Sequence, residues 1–189
     1  MVFTVAAAAV GASYVSMRSP ALEKRERALA VRVRRPRGPL VDRVVSAATD
    51  LGSMFAVGGA AAVLVATGHR RSAADVLAAG TLAWASTQGI KVLVNRPRPY
   101  QVEEAERLIA EPAGSSWPSG HPAVVAAAVS ALAPRLGPGG RLTGTVVATF
   151  VATSRVYVGV HYPTDVVAGL GIGGMCGAGW RLAAGRWRG

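Results

Sequence analysis

The chain has 189 residues, 51% of them apolar and 16% charged, with 21 basic against 10 acidic side chains and a formal net charge of +11. A mean hydropathy of +0.33 is more apolar than a soluble core of this size needs, so the composition argues against a soluble domain and for a membrane protein. The basic excess does not mark a nucleic-acid binder: it gathers in Arg18–Arg43 and at the edges of apolar runs, with no helix-turn-helix, zinc or aromatic–basic pattern to read bases. Anionic lipid headgroups account for the same charge, each nearby cation contributing about 1 kcal/mol.

Uncharged runs recur at Met1–Met17, Leu51–Gly68, Val76–Ile90, Pro122–Pro134, Leu142–Ser154 and Val166–Trp180. A span needs about 20 mostly apolar residues, so the shorter runs must borrow arginine-flanked neighbours whose heads snorkel to the interface. The expected fold is an all-α polytopic transmembrane bundle with five spans, Met1–Met17 being a possible sixth.

In chain order, Arg18–Arg43 is charged and broken by Arg35-Pro36-Arg37-Gly38-Pro39, and reads as an interfacial connector. Val41–Ala48 has apolar residues at helical spacing and feeds the next span as a short amphipathic segment. His69, beside Arg70 and Arg71, reads as a structural residue of a short loop. The helix through Val76–Val94 ends against Asn95-Arg96-Pro97-Arg98-Pro99, where two prolines stop it. The long connection Tyr100–Pro118 carries Glu103, Glu104, Glu106 and Glu111, and reads as a solvated loop that could also act as a lid. Trp117 near its end suits an interfacial anchor. In the last run, Gly169, Gly173 and Gly177 recur every four residues, a face on which helices pack closely. Cys176 is the only cysteine, which precludes an internal disulfide and a cysteine metal cluster. Without internal repeats the chain divides into an N-terminal apolar segment and basic connector (1–43), a core domain (44–184) and a basic tail (185–189).

Chemistry concentrates in three motifs of the second half: Lys91…Arg98-Pro99, Pro118-Ser119-Gly120-His121, and Ser154-Arg155…His161…Asp165. They supply cations, imidazoles, a hydroxyl, a glycine backbone and a carboxylate. A phosphoryl group in transfer is stabilised mainly by positioning and electrostatics, for which Lys91, Arg98 and Arg155 form a clamp. The Ser119 hydroxyl and Gly120 amide add donors, and a helix starting near His121 would point its N-terminus at the anion. Asp165 lies four residues after His161, where it can hold Nδ1–H and leave Nε2 free, so His161 is the candidate nucleophile and Asp165 its orienting group. His121 is then the general acid, and afterwards the base that activates water. Pro163 is placed to open the helix that carries Asp165.

The order and internal spacing of these motifs resemble the type 2 phosphatidic acid phosphatase family, whose catalytic core is shared with vanadium haloperoxidases, and in particular its bacterial membrane lipid phosphatases. The resemblance covers about Leu40 to Trp180. It implies the same residue roles, no cofactor, a metal-independent reaction, and a multi-pass protein of a bacterial plasma membrane with its site at the membrane interface. The expected activity is hydrolysis of a lipid phosphate or diphosphate, such as phosphatidic acid, phosphatidylglycerol phosphate or a polyprenyl (di)phosphate, through a phosphohistidine. A vanadate-dependent haloperoxidase and a non-catalytic lipid-phosphate-binding protein are the competing readings. The expected partners are the lipid substrate and a bilayer with anionic headgroups, and no nucleic acid. Basic residues near the span ends number nine in Arg18–Arg43, on the catalytic face, against seven on the opposite side, a weak lean toward a cytoplasmic site, whereas the resemblance to outward-facing bacterial members implies the other face, so the side of the site stays open. Nothing in the sequence sets an oligomeric state.

Overall fold

The computed structural model describes residues 2–35, 37–102 and 106–187, with the side chains of residues 186 and 187 left aside. Pro36, Glu103, Glu104 and the last two residues of the basic tail, all part of the sequence reading, lie outside the described residues. The architecture is all-helical: α1 (Val2–Arg18), α2 (Pro20–Val33), α3 (Pro39–Ala48), α4 (Met54–Ala66), α5 (Arg70–Val94), the single turn α6 (Pro99–Val102), α7 (Gly120–Leu132), α8 (Pro138–Tyr157) and α9 (Pro163–Trp187). No strand occurs among the described residues.

Local sequence explains most boundaries. Proline opens α2, α3, α8 and α9, where its fixed φ suits the first turn and its missing N–H would have been unpaired anyway. The Ser53 hydroxyl caps α4 by accepting from the Ala56 amide at 3.1 Å. α5 ends at Asn95, which takes a left-handed conformation (φ 45°) ahead of the two prolines. The charged connector is mostly helical, broken where the Arg-Pro-rich stretch lies, between the ends of α2 and α3.

α7 is the central helix, packed on α5, α8 and α9, while α1 lies along α9. The glycine face has the packing role its spacing predicts. A methyl group at Gly169, Gly173 or Gly177 would overlap the backbone carbonyls of Ser119, Ala123 and Ala127 in turn. The α9 backbone therefore rests directly on α7 over two full turns.

The span count differs from expectation. Among the described residues only Pro163–Gly185 of α9 is long and apolar enough to cross a bilayer; a second candidate arises if α3, the 3₁₀ turn Thr49–Gly52 and α4, bent by 67°, count as one. α4 and α7 have 13 residues each, about 20 Å at 1.5 Å per residue, short of a hydrocarbon layer of about 30 Å. α5 and α8 are longer, but carry Asp75 and Lys91, and Arg141 and Arg155, so their polar ends dilute their apolar middles.

Trp117 is also placed differently. It is buried beneath α1, its indole N–H donating to Ser13 Oγ at 2.8 Å and its ring edge-on to Tyr14. An indole with a buried hydroxyl partner has no need of the interface. Nor is the described part of the 100–118 connection a free lid. The Leu108 amide donates to Val158 O at 3.1 Å, the Ser116 amide to Arg96 O at 2.8 Å, and Tyr100, Leu108 and Ile109 pack on Tyr157, Val158 and Val160.

Candidate active site

The three motifs converge because their elements are tied at the backbone. The Ser119 amide donates to Asp165 O at 2.9 Å, joining the start of α7 to the start of α9, and Gly169 keeps that junction close. Lys91, Arg98, Gly120, His121, Arg155 and His161 line one cleft of about 290 Å³, whose remaining wall includes Met54, Phe55, Trp84 and Val124. Asp165 lies behind His161, and the Ser119 side chain lies beneath the cleft wall.

His161 follows α8 in the loop before α9 and is 2% exposed. Its Nδ1 lies 3.3 Å from Asp165 Oδ2, and its Nε2 lies 3.4 Å from Arg98 Nη1. A carboxylate only accepts and a guanidinium only donates, so the two neighbours together fix the tautomer: Nδ1 carries the hydrogen and Nε2 the lone pair. Burial, reinforced by the positive charges of Arg98, Lys91, Arg155 and His121, holds the imidazole well below its ordinary value, so it is neutral.

Asp165 is fully buried and saturated. Oδ2 accepts from Ser116 Oγ at 2.5 Å and the Tyr162 amide at 2.8 Å, and Oδ1 from Arg96 Nη1 at 2.6 Å. Arg96 in turn donates to Glu26 Oε2 at 2.7 Å and stacks over the Tyr162 ring at 4.3 Å.

The three clamp cations are not equivalent. Arg98 directs Nε, Nη1 and Nη2 at the carbonyls of Gly114, Val160, Ala113 and Ser115, and only Nη1 also faces His161. Much of its guanidinium therefore braces the wall, and a smaller part faces the cleft. Arg155 is buried with its Nε unpartnered; its Nη1 reaches Thr49 Oγ1 at 3.4 Å. Ser119 Oγ is likewise buried without a partner. Unpaired buried donors cost free energy unless something accepts from them, so both are open to an acceptor. Lys91, on the last turns of α5, also lines the cleft. α7 begins at Gly120, one residue before His121, so its first amides face the same space.

His121 has different surroundings. Its Nε2 lies 3.6 Å from Asp50 Oδ1, and that carboxylate, on the 3₁₀ turn before α4, is 71% exposed. Gly52 of the same turn abuts the His121 backbone so closely that a Cβ would lie 2.8 Å from the His121 carbonyl.

This geometry agrees with the family comparison: the model of the PAP2 superfamily matches residues 72–188. The chain belongs to the PAP2 superfamily. It is 38% identical over 110 residues to the decaprenylphosphoryl-5-phosphoribose phosphatase of Mycolicibacterium smegmatis, covering 58% of this chain and 59% of that protein. The crystal structure of Aquifex aeolicus LpxE superposes with a TM-score of 0.74 at 25% identity, over 81% of this chain and 92% of that one. A transmembrane PAP2-type phosphatidylglycerolphosphate phosphatase from Bacillus subtilis shares the fold with a TM-score of 0.76 at 21% identity, over 98% and 94% of the two chains. The chain spans between 34% and 59% of the length of the curated relatives it matches.

Sequence reasoning missed Arg96, Ser116, Glu26 and Asp50. Arg96 and Ser116 stand beside recognised motifs, and a signal for Arg96 was available: it directly precedes Pro97, which pushes the preceding residue out of the helical region and so places Arg96 on the loop at the site. Glu26 and Asp50 gave none, since each reaches the site from a distant part of the N-terminal region.

Proposed function

We propose that the protein is an integral membrane phosphatase that hydrolyses a lipid phosphate or diphosphate through a phosphohistidine at His161. The observation that carries this reading is the cleft itself, where a neutral histidine whose Nε2 lone pair lies beside Arg98, a second histidine, three cations and a helix N-terminus share one volume.

In the proposed reaction Nε2 of His161 attacks phosphorus in line with the leaving oxygen. The P–O ester bond breaks as the P–N bond forms, and His121 gives its proton to the departing alkoxide or phosphate. Neutral His121 then takes a proton from water, whose oxygen displaces His161 and releases inorganic phosphate. The Nε–H of Arg155, the Gly120 amide, Lys91 and the Arg98 Nη1–H that faces His161 hold the equatorial oxygens, with the Ser119 hydroxyl just behind the wall as a further donor. Because the clamp is cationic, it would repel a metal ion, and the reaction is proposed to need none.

The lipid assignment follows from the cleft's other wall. Met54, Phe55 and Trp84 line it, and Phe55 is 93% exposed, as suits a hydrocarbon tail or bilayer. The fold likeness to a transmembrane phosphatase supports a membrane-crossing bundle, which we read as five or six spans with short α4 and α7 supplemented by their flanks. The core domain is proposed to run over 44–184, between the N-terminal segment 1–43 and the basic tail.

The test is phosphate release by purified protein from phosphatidic acid, phosphatidylglycerol phosphate and a polyprenyl diphosphate, against glycerol phosphate in matched detergent. A tail that uses binding energy to position the reacting centre should raise kcat/KM for the lipids well above that for the soluble ester. Activity should persist in excess EDTA and be blocked by vanadate, which adopts the five-coordinate transition-state geometry. Equal turnover of the soluble ester, or a strict requirement for added magnesium, would overturn the respective part of the reading.

A further inference from the structure

We propose that Glu26, on α2, is a positioning residue for the reaction, acting through Arg96 to set the charge and orientation of the Asp165–His161 pair. The proposal rests on the phosphohistidine reading above. Its basis is a buried chain of ionic hydrogen bonds reaching the nucleophile from a helix outside the residues that match the family. Arg96 Nη2 donates to Glu26 Oε2 at 2.7 Å while its Nη1 donates to Asp165 Oδ1 at 2.6 Å, and the Arg96 and Glu26 side chains are 9% and 6% exposed. Glu26 Oε1 accepts from the Thr164 amide at 2.6 Å and the Thr164 hydroxyl at 2.5 Å, and Arg96 Nη1 donates to that same hydroxyl at 2.8 Å. One side chain thus anchors both the arginine behind Asp165 and the first turn of the helix that carries Asp165.

The electrostatic argument follows from counting charges along this chain. With Arg96 as its sole partner, Asp165 would form a neutral ion pair, and the charge it offers His161 would be largely cancelled. Glu26 engages the other edge of the guanidinium, so the Glu26–Arg96–Asp165 trio carries one net negative charge. That charge matters because phosphorylation at Nε2 makes the imidazole ring cationic while Nδ1–H is held by Asp165. The other charged groups acting on His161 from neighbouring elements are Lys91 of α5, Arg98 of the following loop, His121 of α7 and Arg155 of α8. All of these are cations or can become cations, and Asp50 beside His121 is 71% exposed to water, so Glu26 adds buried negative charge to that of Asp165. Burying such a trio is unfavourable unless every member is paired, and here each is.

A helix-capping role alone would make Glu26 a stability residue; the two roles separate in a pH profile. Glu26→Gln removes a negative charge, so the acid limb of kcat/KM should move to lower pH and kcat should fall roughly ten- to hundredfold, as for other residues that orient a functional imidazole at one remove, with KM little changed. Glu26→Asp, which keeps the charge, should return the limb toward its wild-type position. Arg96→Gln removes a positive charge and should move the limb the opposite way, to higher pH. The substrate is phosphatidic acid in detergent, with folding checked by thermal melts. Limbs that stay at the wild-type pH in both Glu26→Gln and Arg96→Gln overturn the proposal. If Glu26→Gln fails to fold, Arg96→Gln decides alone, an unmoved limb counting against. Absence of phosphate release by the wild-type protein would instead sink the phosphatase reading on which the proposal rests.

Discussion

His161 and His121 line the same cleft in contrasting surroundings. His161 is 2% exposed, its tautomer fixed from both sides, and the carboxylate behind it is itself held by an amide, a hydroxyl and an arginine. His121 has a side chain 29% exposed and a single solvent-bathed carboxylate at 3.6 Å. The difference suits the two roles proposed for them. A nucleophile must keep one nitrogen on the phosphorus axis, where a misplacement of about 1 Å costs about a hundredfold. A proton carrier must exchange with water each turnover, and a buried, fully bonded ring could not.

The largest effect should come from His161→Ala, which removes the proposed attacking atom. Phosphate release should fall by roughly four orders of magnitude or more, and near wild-type release would dismiss it as the nucleophile. Asp165→Asn comes next, since an amide can turn its NH₂ toward Nδ1 and stabilise the wrong tautomer. A loss of roughly 10³–10⁴ in kcat with the melting temperature nearly kept is expected, and a loss below tenfold would mean that the tautomer is set elsewhere. Gly169→Val attacks the distance between the two histidines. Its side chain overlaps the Ser119 carbonyl and should cost about 1–3 kcal/mol of stability, together with roughly a hundredfold in rate; unchanged stability and kinetics would show that the α7–α9 junction tolerates a gap.

Two smaller tests bear on the histidines' charges. Burial and the surrounding cations lower the His161 value, so the imidazole stays neutral as pH falls through about 6.5, where an ordinary histidine protonates. The acid limb of kcat/KM assigned to His161 should therefore lie below that pH, and a limb at the ordinary value that vanishes in no His121 variant would contradict the geometry. Asp50→Asn should have the least effect, no more than about fivefold, because an exposed carboxylate at 3.6 Å is screened by water. A loss comparable to that of Asp165→Asn would erase the asymmetry between the two sites.

The sequence by itself determined the motifs, the four-residue spacing from His161 to Asp165, the proline starts and breaks of the helices, and the glycine face of α9. Each depends on residues within a turn or two of each other, where backbone sterics and helical periodicity act without reference to the rest of the chain. Tertiary structure alone decided that Trp117 turns inward to Ser13, that Arg98 gives most of its donors to the wall at Ala113–Ser115, that Asp50 stands beside His121, and that Glu26 pairs with Arg96 behind Asp165. These depend on which helix faces which, and on where a buried polar group must find a partner once water is excluded. Glu26 is the clearest case. On α2 it is one more charge in a basic connector, and only the approach of Arg96 and the start of α9 turns it into part of the site.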